Sequence, residues 1–193
     1  MSGIRTRIVV LAGLHGAGLL ARGRPEGLAF VERTPEGAAR SFWAAVLCLP
    51  VFLVLRAFAW ASLGEPAGGV ARGLAVEIIG YAVAWSGYAL VSLPLARALG
   101  RAALWPRFIA AWNWANAVQY LVLLVLTVPA LVGLPAVLVQ GLGLAALGYA
   151  VWLEWFVARH ALRLPTLGAG LFVLLDLGFG IGLGWVVNGL AGG

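Results

Sequence analysis

Five long apolar stretches set the pattern of the chain, each closed by glycine, proline or arginine. They run over residues 41–63, 74–99, 106–131, 136–158 and 167–190. A helix crossing the ~30 Å hydrocarbon core of a bilayer needs about 20 such residues, so each stretch is long enough for one crossing. Pro66, Gly68 and Gly69 break the chain after the first stretch and Gly100 after the second; Pro129 and Pro135 break it around the third turn, and Pro165 before the fifth stretch. The pattern predicts an all-α integral membrane protein with five transmembrane helices over 41–193.

Residues 1–40 read as a separate segment. "RTRIVVLAGLHGAGLLARGR" is a short apolar stretch between basic flanks, broken by His15 and several glycines. It predicts an amphipathic interfacial helix with its arginines at the headgroups and Val9, Val10, Leu14 and Leu20 in the acyl boundary. A signal peptide has the same outline, but its removal would set the remaining spans against their own arginine pattern. A re-entrant segment is the other alternative. Thr34 as N-cap and Pro35 at the first helical position then begin the helix that becomes span one.

Polar positions interrupt the spans in an ordered way. In "RFIAAWNWANAVQY" and beyond, Asn113, Asn116, Gln119, Tyr120 and Thr127 fall within an arc of about 120° at 3.6 residues per turn. Ala111, Trp114, Val118, Leu121, Val122 and Val125 take the opposite, lipid-like or packing side. Asp176 and Asn116 lie at similar depths in spans five and three. Asn113, Asn116, Gln119, Tyr120 and Asp176 are therefore the candidate intramembrane polar cluster.

Arg56 and Glu77 are the candidate ion pair, both roughly 5 to 10 Å from the other end of two consecutive helices. Such a pair locks two helices or serves a site; alternatively each charge snorkels outward unpaired. Glu77, Tyr81, Ala84, Tyr88 and Ser92 share one face of span two. "GFGIGLG" in span five has the small-xxx-small spacing that lets helix backbones approach. Glu154 is expected in a salt link with Arg159 or Arg163.

Composition sharpens the class. Of 193 residues, 63% are hydrophobic and 10% charged, against about half and a quarter in soluble domains. The net charge of +6 rests on 13 basic residues, all of them Arg. Arg5, Arg7, Arg22, Arg24, Arg33 and Arg40 precede span one, Arg97, Arg101 and Arg107 cluster around the connection between spans two and three, and Arg159 and Arg163 follow span four. The two opposite connections carry only Arg72. The positive-inside rule then predicts a cytoplasmic N-terminus and a periplasmic C-terminus. Arginine clusters between spans suit anionic lipid headgroups; nucleic acid would need a basic face on a soluble surface. The Arg-only, Ala- and Gly-rich usage suggests a GC-rich bacterial genome, hence the inner membrane.

Chemistry-bearing motifs are few. Cys48 is the sole cysteine, and His15 and His160 have no partner at metal-ligand spacing. No nucleophile elbow, paired acid motif or HExxH occurs, so no enzyme activity, cofactor or metal is expected. The sequence predicts an accessory or structural membrane protein whose polar stripe serves helix packing or a partner, either a second copy or another membrane protein. The alternative is a small transporter or channel component with a mid-membrane polar site around Asp176 and Asn116.

"TPEGAARSFWAAVLCLPVFLVL" and "RFIAAWNWANAVQ" resemble segments of an uncharacterised family of small multi-pass inner-membrane proteins of alphaproteobacterial type. The five-span plan is similar in architecture alone to Yip1-domain proteins. Neither resemblance implies a catalytic or ligand-binding residue.

Overall fold

The computed structural model describes residues 2–192, with side chains for 6–62 and 64–191; the side chain of Arg5 lies outside this set. Eight α-helices follow in order among the described residues: α1 (Ser2–Leu20), α2 (Pro35–Ser41), α3 (Trp43–Leu63), α4 (Val70–Ala98), α5 (Trp105–Val125), α6 (Val128–Leu131), α7 (Ala136–Ala161) and α8 (Thr166–Gly192). Short 3-10 turns cover Pro25–Phe30 and Ala102–Leu104. Five helical stretches are long and apolar enough to cross a membrane: Pro35–Ser62, Val70–Ala98, Ala102–Leu131, Ala136–Ala161 and Thr166–Ala191. The chain is an all-α membrane protein, with α1 as a shorter apolar helix before the spans.

Local chemistry sets the helix limits. Thr34 Oγ1 accepts a hydrogen bond from Gly37 N at 3.1 Å, and Pro35 follows it at the first helical position. The third span, read in the sequence as one helix to 131, is instead two. Thr127 Oγ1 donates to Leu124 O at 2.7 Å, and Pro129 has no N–H to continue the ladder. Pro50 and Pro94 stay inside α3 and α4.

The helices pair unevenly. Helix α4 packs on α8, α5 on both α3 and α7, and α7 on α8, while α1 and α2 pack on α5 and the 25–30 turn packs on α1. At this arginine-rich end the core closes tightly: every residue from Phe108 to Ala115 is buried, together with Tyr88, Leu153, Val157 and Phe172. Towards the other end large apolar side chains such as Val137, Leu144, Ile181 and Trp185 are exposed, as lipid-facing residues are. Packing density, like charge, is concentrated at one end.

The N-terminal segment is fastened to the bundle. A Cβ on Gly13 would run into the Trp114 ring, and one on Gly16 would come within 2.7 Å of Gly27 O. Gly13 thus makes room for the Trp114 ring, and Gly16 lets two backbones approach, where a side chain would block either contact. Tyr149 OH donates to Ala21 O at 2.9 Å. Leu20 is consequently buried in protein, Val9 and Val10 are half-buried, and Leu14 stays exposed. Trp114 and Ala111, placed on the lipid-like or packing side of α5 by the sequence pattern, are both buried, Trp114 against Gly13 of α1.

Candidate functional site

Each amide on α5 finds its own partner. Asn113, fully buried, donates from Nδ2 to Ser41 Oγ at 2.7 Å, and Ser41 Oγ donates onward to Ala38 O at 2.7 Å. Asn113 Oδ1 has no partner among the described residues. Asn116 Nδ2 turns back to Trp112 O of its own helix at 3.0 Å. Gln119 Nε2 reaches Ala150 O of α7 at 3.5 Å, a long contact. Tyr120 stacks on Trp85, with ring centroids 6.4 Å apart and planes 13° from parallel. The stripe thus joins α5 to α2, α7 and α4 in turn, and the acid Asp176 belongs to a different grouping.

That grouping lies where α4, α7 and α8 meet. Tyr88 OH stands 3.3 Å from both Glu154 Oε1 and Phe172 O, and Asp176 lies near the Glu154 carboxyl. Glu154 is only 5% exposed. The sequence expectation of a salt link to Arg159 or Arg163 is corrected here. Arg159 lies about 140° further round α7, at 3.6 residues per turn, and its guanidinium sits over the Trp155 ring at 5.0 Å. The overlooked signal was spacing: Glu154, Val157, Ala158 and Ala161 follow i, i+3, i+4, i+7, and all four are buried.

Nearer the arginine-poor end the structure brings Arg56 and Glu77 together, with Nη1 and Oε1 2.8 Å apart. The Glu77 side chain is 12% exposed and that of Arg56 37%. They form one wall of a cleft of about 260 Å³, bordered also by Tyr81 and Tyr120 and, across it, by Gly180 and Gly184 of α8. Those glycines were expected to bring helices close, yet a Cβ at Gly178, Gly180, Gly182 or Gly184 would meet nothing within 4 Å. The close approach of α4 and α8 is made instead by Gly80 and Gly87, which receive Val187 and Phe179. Gly180 and Gly184 keep the cleft open. Asp176 and Tyr88 lie one helical turn beyond the cleft-lining Gly180 and Ala84.

At the opposite end Arg40 pairs with Glu32, its Nε 3.2 Å from Oε1. Arg33 and Arg163, from two other segments, lie near enough to Arg107 to act on its charge. Arg163 also holds a left-handed backbone at φ 54°, uncommon for a residue other than glycine. Among the described residues no group of three His, Cys, Asp or Glu side chains is placed to hold a metal ion. No protein-family model, curated protein or solved structure matches the chain.

Proposed function

We propose that the protein is an accessory protein of a bacterial inner membrane, without enzyme activity, with a cytoplasmic N-terminus and a periplasmic C-terminus. Its polar groups specify how helices pack and so shape a firm arginine-rich face for anionic headgroups and a membrane-protein partner or second copy. The observation that carries this reading is the use of each α5 amide on an internal contact, above all the buried Asn113–Ser41 bond. The arginine cluster of Arg33, Arg107 and Arg163 supports the headgroup contact.

One observation favours a second reading, a small transporter or channel component. The charged cleft ends one turn from the Tyr88–Glu154–Asp176 grouping, a layout in which a polar path enters the membrane from one side. Asp176→Asn separates the two. The accessory reading expects unchanged ion or solute flux in vesicles at equal protein level. Lost flux at equal protein level would sink it in favour of transport.

A further inference from the structure

We propose that the cleft beside Arg56 and Glu77 is a binding site for a zwitterionic headgroup, a phosphate joined to a primary ammonium, carried by a membrane lipid of the ethanolamine type. This goes beyond the accessory reading and does not depend on it.

The charge balance of the wall selects the ligand class. Arg56 and Glu77 face each other through one nitrogen and one oxygen, a single-pronged bond that leaves other guanidinium donors and the second carboxylate oxygen for a ligand. A ligand of net charge entering this apolar depth would leave one charge uncompensated, which is costly in a low-dielectric site. A zwitterion exchanges partners without that cost: its phosphate takes donors from Arg56 while its ammonium takes the free oxygen of Glu77. Rings of Phe52 and Tyr81, with centroids 4.7 Å apart, and of Tyr120 border the same space. Their faces attract an ammonium group.

The space itself is provided by the sequence. Gly180 and Gly184 present bare backbone to the cleft, with nothing within 4 Å of where a Cβ would stand. Helix α3 is held against α5, and α4 against α8, so the cleft lies between two packed pairs and not inside one. The source is a lipid because apolar surface adjoins the cleft: Ile181, 62% exposed, and Trp185, 80% exposed, each follow a cleft-lining glycine on α8, Gly180 and Gly184. Acyl chains can lie along those faces while the headgroup sits in the cleft. A free zwitterion would find no use for them.

The test follows unfolding of the full-length protein in detergent by its tryptophan fluorescence, with phosphatidylethanolamine, phosphatidylglycerol or free phosphoethanolamine added. Phosphatidylethanolamine should raise the midpoint by several degrees more than phosphatidylglycerol, and free phosphoethanolamine should give little of that difference. The Arg56→Leu/Glu77→Gln double variant should lose the difference between the two lipids. Gly184→Leu fills the cleft without touching either charge and should lose it as well, which guards against a general folding defect in the double variant. Equal shifts from the two lipids in the unaltered protein, or a difference that survives in both variants, overturns the proposal. A full shift from free phosphoethanolamine upholds the site and assigns it to a soluble zwitterion.

Discussion

Ser41 and Asn113 meet where α2 crosses α5, and each depends on the other differently. Ser41 Oγ donates to Ala38 O and accepts from Asn113 Nδ2, so it is satisfied on both counts. Asn113 is satisfied on one side only, with Oδ1 left bare in a fully buried position. An unpaired buried polar group costs about 1–3 kcal/mol, whereas interhelical hydrogen bonds in membranes average about 0.6 kcal/mol. Ser41→Ala strips the amide of its remaining partner and should lower stability by about 1–3 kcal/mol. Asn113→Leu removes the bare acceptor together with the bond, so its net effect should stay within about 1 kcal/mol. Combining the two should recover most of the Ser41→Ala loss. Equilibrium unfolding in mixed micelles reads all three; additive losses would contradict the coupling. The amide at 113 then acts on which helices meet more than on how tightly they hold.

Helices α4 and α8 illustrate how a glycine's role depends on its neighbour and not on its spacing. Gly80 receives Val187, whose Cγ2 would stand 2.6 Å from an added Cβ, and a β-branched side chain in a helix has little rotamer freedom to yield. Gly80→Ala should therefore cost about 1–3 kcal/mol through overpacking, more than the ~1 kcal/mol that alanine gains over glycine in helix propensity. Gly182→Ala, with nothing near, should leave the unfolding midpoint unchanged or raise it. A similar loss at both positions would show that α8 packs on its glycine face after all. The sequence displayed the glycines of both helices, and the denser run in α8 looked like the packing surface. Which run is used depends on whether a bulky partner lies opposite, and single-helix spacing holds no record of that. Glu154 was misread for the same reason: its arginine neighbours were visible along the chain, while Tyr88 and Asp176 approach from other helices.

Over the whole molecule, charge and packing are both polarised, and charge was the legible part. Five spans followed from length and apolarity because a bilayer imposes one minimum length on every helix. The enclosure of α1 did not follow, since the glycines that admit it read equally well as breaks in a surface helix. Orientation is the prediction that belongs to this scale. Of 13 arginines, Arg56 is neutralised by Glu77 within the membrane and Arg72 alone belongs to the sparse end. The remaining eleven sit in the N-terminal segment or at the two connections on the same side. Arginines in short connections are held back from translocation, and here each connection biases its flanking helices the same way. Alkaline phosphatase joined after Gly193 should therefore be active, and the same reporter joined after Arg101 should be inactive. Activity at Arg101 with none at Gly193 would invert the topology and place the Arg56–Glu77 cleft towards the cytoplasm. Replacing Arg97, Arg101 and Arg107 by Gln should weaken the contrast without reversing it, because Arg159 and Arg163 and the arginines before α3 continue to hold their own connections.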